Sequence, residues 1–431
     1  CLIIKNIIFY YIYLRIEVLI LSTKQKHIPC LITIFGATGD LSHRKLFPSI
    51  FHLYQQDNLD EHIAIIGVGR RDYTNDFFRE QVKQSIQTHV KDTDRLDEFI
   101  EHVFYFKNDV NEEESYHELL AFSNELDDTF KLEGNRLFYL AMAPQFFGPI
   151  SDYLKASGLT ETKGFKRLVI EKPFGSDFKS AEKLNNQLRQ SFKEEEIYRI
   201  DHYLGKDMVQ NIEVLRFANA MFEPLWNNKY ISNIQITSSE ILGVEDRGGY
   251  YESSGALKDM VQNHMLQMVA LLAMEAPISL KSEDIRAEKV KVLKSLRQLK
   301  PEEVNQNFVR GQYGEGTIND QRVIAYRDED RVASDSNTPT FVSGRLTIDN
   351  FRWAGVPFYI RTGKRMKSKC IQVVVEFKEV PMNLYYQTDR LLDSNLLVIN
   401  IQPNEGISLH LNAKKSIQGI ETKPVQLYYA M

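Results

Sequence analysis

The chain has 431 residues, too many for one ordinary core, which implies two domains. It is 43% hydrophobic and 26% charged, with a formal net charge of −5 and dispersed basic residues, which argues against nucleic acid as a partner while leaving room for local cationic pockets. The three cysteines, Cys1, Cys30 and Cys370, are too few and too scattered for a disulfide framework or a metal knuckle, so no metal is expected and a reducing, cytoplasmic setting is.

Residues 1–22 differ from the rest. They are apolar, but Lys5, Arg15 and Glu17 interrupt them, so no uncharged run reaches membrane-spanning length. No small-residue cleavage site closes the stretch and no Met opens it. Residues 1–27 are therefore set aside as an unassigned leader foreign to the fold; a membrane anchor is the competing reading.

From Pro29 onward, short β-branched runs alternate with amphipathic stretches. Strands are expected at 31–35, 63–68, 103–106, 136–140, 168–170 and 197–200, separated mostly by helices, as in a doubly wound parallel sheet of the Rossmann type over 28–204. Ligands of such sheets sit at the carboxyl ends of the strands. The first end reads LITIF-GATGDL, with Gly36 and Gly39 ahead of a helix expected over 40–55. Glycines there let backbone approach a pyrophosphate at a helix N-terminus, although a plain tight turn needs the same glycines. The second end carries Arg70 and Arg71, where an NAD enzyme places an acid for the ribose 2′-hydroxyl. A guanidinium fork suits a 2′-phosphate instead, so NADP is the expected coenzyme.

Two later ends are also polar. LVIEKPFG sets Lys172 before Pro173, an X-Pro bond of the kind that tolerates cis geometry. YRIDHYLGK then gathers Asp201, His202, Tyr203 and Lys206, a set suited to a phosphate monoester, against the alternative of a surface ion-pair network.

After Asn227, alternating strands are expected at 230–241, 341–349, 358–361, 371–377 and 397–401 without regular helices between them, giving an α+β domain with a large, mostly antiparallel sheet over 205–431. One long helix is expected over 255–274. Leu257, Val261, Met268, Leu271 and Leu272 form its apolar face, and Asp259, Gln262, Asn263, His264 and Gln267 lie mainly opposite. A lone helical histidine is usually structural. In a chain with a hydride-acceptor site, His264 is instead the candidate base for an alcohol proton, with Asp201 or Asp259 as its supporting carboxylate.

The blocks GATGDLSHRKL, VIEKPFG, RIDHYLGK, GYYESSGALKDMVQNH, RGQYG and PFYIRTGK, in this order, resemble the glucose-6-phosphate dehydrogenases over residues 28–427. The resemblance implies oxidation of glucose 6-phosphate at C1 by NADP+, giving 6-phospho-D-glucono-1,5-lactone, in a homodimer or homotetramer. It implies that His264 is the base and Asp201 the carboxylate paired with it. His202, Tyr203 and Lys206 correspond to the 6-phosphate ligands, and Glu240 and Asp259 to groups on sugar hydroxyls. Lys172 matches the lysine near both substrate and nicotinamide, while Lys364 and Lys369 match further substrate-side lysines. Gly36, Ala37, Thr38, Gly39, Asp40 and Leu41 match the coenzyme loop, Arg70 the 2′-phosphate ligand, and Lys45 a neighbour of that site.

Two departures accompany the match. Cys370 and Asn400 replace basic residues of the second, structural NADP site of animal members, so none is expected here. The family also continues beyond ETKPVQL, so a terminal segment of the second domain is expected to be missing. Two rivals remain open at this level: a sugar dehydrogenase of the glucose–fructose oxidoreductase type, relying on Lys172 without a phosphate grip, and a non-catalytic NADP-binding remnant.

Overall fold

The computed structural model describes residues 28–382, 392–415 and 422–430. The expected leader lies outside them. The chain divides into two compact units, one ending at Gly205 and the other beginning at Lys206.

The first unit is built on six parallel strands: β1 (Cys30–Phe35), β2 (Ile63–Gly69), β3 (Val103–Lys107), β4 (Arg136–Leu140), β5 (Lys166–Ile170) and β6 (Ile197–Arg199). Their order across the sheet is β3-β2-β1-β4-β5-β6, so the chain reverses direction of travel between β1 and β4. β1 is apolar throughout apart from Thr33 and is buried along its whole length, as a strand covered on both faces requires. Its alternate residues and those of β2 divide between two clusters. Ile32, Ile34, Ile63 and Ile65 belong to one, and Leu31, Phe35, Ala64, Ile66 and Val68 to the other. The helix Asn75–His89, capped by Thr74 through the Phe77 amide at 3.2 Å, packs Phe78 over Gly67, where a Cβ would meet the ring at 2.3 Å. That close approach needs glycine.

The second unit is centred on an eight-stranded sheet. Its strands are β7 (Ile231–Ser239), β8 (Phe308–Gly311), β11 (Phe341–Thr347), β12 (Pro357–Gly363), β13 (Cys370–Phe377), β14 (Leu396–Gln402), β15 (Gly406–Lys414) and β16 (Thr422–Ala430). A separate hairpin pairs β9 (Gly316–Ile318) with β10 (Gln321–Val323). The order β16-β15-β14-β13-β7-β12-β11-β8 is antiparallel at every junction except β7–β12. β13 alternates half-buried and buried residues, the signature of a sheet with one face on the core.

Three features depart from the sequence expectation. Helices Ser282–Lys294 and Pro301–Asn307 do stand between strands of this unit. β8, β15 and β16 extend the sheet beyond the anticipated strands. The long helix is not one regular helix: Gly248–Ala256 is broken at Gly255 (φ 59°, ψ 175°), Leu257–Met265 follows as a π-helix, and Leu266–Ala273 completes it as α-helix. Gly255 alone can take that backbone without strain, and a period of 3.6 residues cannot anticipate a π segment.

Candidate functional site

In the first unit, every site residue foreseen there except Lys45 sits just beyond a strand's carboxyl end. Gly36 follows β1 with φ 82°, and a Cβ on it would lie 2.5 Å from the Ala141 carbonyl oxygen beyond β4. The strands at the reversal point can approach this closely only because residue 36 is glycine. Ala37 donates to Val68 O at 3.1 Å, Gly39 to Gly36 O at 3.0 Å, and the Ser42 hydroxyl to the same oxygen at 3.0 Å. Thr38, Asp40 and Leu41 complete this turn into a π-helical segment, Ser42–Leu46, which carries Lys45, and then into helix Phe47–Gln55. The opening amides of such a helix start are anion donors in general.

Arg70 emerges from the end of β2 exposed, and its guanidinium has no protein partner among the described residues. The backbone around it is held: the Tyr105 hydroxyl donates to the carbonyls of Gly69 (3.0 Å) and Arg71 (2.6 Å). Arg71 is instead occupied, donating to the Tyr73 hydroxyl at 2.8 Å. Of the two arginines, Arg70 is the one left to meet a ligand.

β5 and β6 deliver the remaining residues together. Ile170 pairs with Arg199, and the Ile200 amide donates to Ile170 O at 3.0 Å, so Lys172 and Asp201 leave the sheet side by side. The Lys172 ammonium is 3.2 Å from Asp201, and the Tyr203 amide donates to the same carboxylate oxygen at 2.9 Å. Tyr203 is buried and stacks edge-on with the exposed His202 ring at 4.9 Å. The Lys172–Pro173 bond is cis. Beside it Glu171, bonded to the Tyr139 hydroxyl, has its carboxyl pushed up by burial.

In the second unit the one parallel junction does the assembling. Ser239 and Gly363 are the last partners of β7 and β12, so Glu240 and Lys364 leave the sheet at the same end, and the Glu240 amide donates to Gly363 O at 2.9 Å. Their side chains pair at 2.6 Å. Antiparallel β13 begins opposite Ser239, which brings Lys369 in at that same end. Lys206, at the start of helix Asp207–Phe217, completes the group. Burial and the neighbouring Lys369 lower its ammonium pKa to about 8, with Glu405 and Glu240 opposing the shift.

Asp259 and His264 lie on the π-helix. Five residues on an α-helix turn by about 140°, whereas an i→i+5 ladder sets residues five apart on nearly one side. His264 is buried, contrary to its expected place opposite the apolar face; seven residues from Leu257 and four from Met268, it falls on the apolar side even of a 3.6-residue wheel. Asp259 accepts from the Tyr250 hydroxyl at 3.3 Å. The α-helical turn that follows is fixed at its end by three buried donors. Arg216, Trp226 and Trp353 bond the carbonyls of Leu271, Leu272 and Ala273 at 2.9, 2.7 and 2.8 Å. These satisfy carbonyls that a helix C-terminus otherwise leaves unpaired.

Sequence reasoning passed over Tyr250, Tyr251 and Glu405. The two tyrosines lie inside a quoted block, but nothing in their spacing ties them to Asp259 or Lys364. Cys370 and Cys30 are free thiols, and burial pushes that of Cys30 up to about 12.

A glycine turn at the reversal point of a six-stranded parallel sheet, with a free guanidinium at the β2 end and a second unit bearing lysines, carboxylates and a buried histidine, defines a two-domain, nucleotide-dependent dehydrogenase. Comparison with known proteins narrows this. Residues 33–211 match the family description "Glucose-6-phosphate dehydrogenase, NAD binding domain", and residues 213–431 match "Glucose-6-phosphate dehydrogenase, C-terminal domain". The glucose-6-phosphate 1-dehydrogenase of Bacillus subtilis is 60% identical over 398 residues, covering 92% of this chain and 81% of that protein. That of Leuconostoc mesenteroides is 44% identical over 400 residues, covering 93% and 82%. A solved glucose-6-phosphate dehydrogenase in complex with its substrate glucose-6-phosphate superposes with a TM-score of 0.86 at 38% identity, over 95% of this chain and 83% of that one. The chain belongs to the glucose-6-phosphate dehydrogenase family.

Proposed function

We infer that this protein oxidises D-glucose 6-phosphate at C1 to 6-phospho-D-glucono-1,5-lactone with NADP+ as acceptor, the first step of the oxidative pentose phosphate pathway. The observation that carries the reading is the 60% identity to a glucose-6-phosphate 1-dehydrogenase across 92% of the chain, with both family domains matched in order.

The residues present fit the coenzyme. Gly36 opens the tight turn that leads from β1 into a helix start, and Arg70 offers a free guanidinium of the kind that prefers a 2′-phosphate to a bare hydroxyl. When bound, NADP+ supplies the hydride acceptor. We assign residues 36–41 and Arg70 to holding it, with Lys45 nearby and Lys172 facing both coenzyme and sugar. His264 takes the C1 hydroxyl proton, and Asp201 is its supporting carboxylate. His202, Tyr203 and Lys206 grip the phosphate, Glu240 and Asp259 bind sugar hydroxyls, and Lys364 and Lys369 add substrate-side charge. The pairing of Lys364 with Glu240, and the crowding of Lys206 by Lys369, support a site that takes an anionic polyol.

We further propose a cytoplasmic homodimer or homotetramer. No helix among the described residues is long and apolar enough to cross a membrane, and Cys30 and Cys370 form no disulfide.

The test is turnover and NADP+ affinity measured on one preparation, with glucose 6-phosphate and with glucose. Turnover of glucose 6-phosphate well above that of glucose is expected. NADP+ binding without turnover would reduce the protein to a coenzyme-binding remnant, and equal use of both sugars would favour a free-sugar dehydrogenase.

A further inference from the structure

Tyr251 stands in the helix Gly248–Ala256, ahead of the π segment, and is 2% exposed. Its ring face lies 5.3 Å from the Lys364 ammonium, which is also 2.6 Å from Glu240. The ring is itself held: Tyr326 meets it at 6.1 Å and 70°, within a small apolar cluster that includes Val244, and the Tyr326 hydroxyl donates to Glu252 at 2.7 Å. The Tyr251 hydroxyl, by contrast, is closed to solvent and has no hydrogen-bond partner among the described residues. Buried tyrosine hydroxyls usually find one. Burial, then Asp259 and Glu240, raise this phenol's pKa further, so it stays neutral.

We propose that Tyr251 is a positioning residue for substrate binding, its ring fixing the Lys364 ammonium beside Glu240. This rests on the assignment of Lys364 to the substrate. A lysine on four rotatable bonds loses much freedom when held by a carboxylate alone. A desolvated aromatic face restrains it from a second direction, where cation–π attraction is strongest. The hydroxyl cannot be the working group, because a sugar arriving from solvent has no path to it.

Steady-state kinetics on four variants of the full chain test this. Tyr251→Leu removes the ring face and should raise KM for glucose 6-phosphate about tenfold, with kcat and NADP+ affinity close to parental. Tyr251→Phe keeps the ring and should bring KM back towards the parental value. Lys364→Gln should raise KM on its own, and adding Tyr251→Leu to it should change nothing further, because the ring then has no ammonium to hold.

If Tyr251→Phe is as impaired as Tyr251→Leu, the hydroxyl and not the ring is at work, and the proposal fails. Additive losses in the double variant, or a loss of NADP+ affinity together with kcat, would make Tyr251 a packing residue only. A raised KM in Lys364→Gln beside a parental KM in Tyr251→Leu would also defeat it. A parental KM in Lys364→Gln would instead remove the substrate assignment of Lys364, and this proposal with it.

Discussion

The first unit sets six strands parallel, so all carboxyl ends point one way and the residues following them share one rim. In the second unit, strand ends alternate between two edges at six of seven junctions, and convergence needs a special arrangement. There it comes from the single parallel pair β7–β12, a crossover entry into β13 and a π-helical segment. A parallel sheet provides a binding edge through its topology, whereas a mixed sheet must build one residue by residue. The first unit should therefore hold the coenzyme through its own topology, while the second should supply the base His264 and its own part of the grip on the sugar.

The largest expected effect tests the second half of that division. His264→Asn should lower kcat by about 10²–10⁴-fold, the usual contribution of a general base, with KM for glucose 6-phosphate little changed. Near-parental kcat would leave the π-helix a structural element and move the proton transfer to Lys172, in the first unit.

Next in size is the coenzyme contact. Arg70→Ala should cost NADP+ binding about 2 kcal/mol, roughly 30-fold, with little change for NAD+. Equal losses with both coenzymes, read by fluorescence titration, would mean that Arg70 shapes the β2 end without reading the 2′-phosphate.

The smallest effect is a pH dependence. The Lys206 ammonium pKa is lowered to about 8, so it is cationic below that value and progressively neutral above it. A phosphate ligand needs the cation, and KM for glucose 6-phosphate should rise as pH climbs through about 8. Lys206→Gln should flatten that rise and raise KM at pH 7, while any weak activity on glucose stays unaltered. For stability the sign is opposite: between about 8 and the ordinary lysine value the unfolded chain binds the extra proton, so this group favours folding more as pH rises.

The same contrast decides how much the sequence could disclose. β1 to β6 were legible because buried parallel strands are short apolar runs, and topology then fixes where residues such as Gly36, Arg70, Lys172 and Asp201 must lie. The separate parts of the second unit were legible too, as β7 and β13 show through their alternation. Their register was not: the meeting of Glu240 with Lys364 spans 124 residues, and periodicity carries no information about partners that far apart. Resemblance to a family could name these residues as ligands, but not the ring of Tyr251 beneath the lysine. The π-helix escaped for a different reason, since its residues fit an α-helical wheel as well; the burial of His264 was legible there, because it stands seven residues from Leu257 and four from Met268, on the apolar side.

That 124-residue span also sets an order of synthesis. When a nascent chain has emerged as far as β4, it already possesses the glycine turn, the Val68 carbonyl that the turn bonds and the Ala141 backbone against which it closes. Glu240 then waits through more than a hundred further residues before β12 exists to pair with β7. Non-local pairings of this kind form late because loop closure must come first, while domains made earlier fold as they appear. The segments assigned to the nucleotide are thus synthesised, and can be brought together, before those assigned to the sugar.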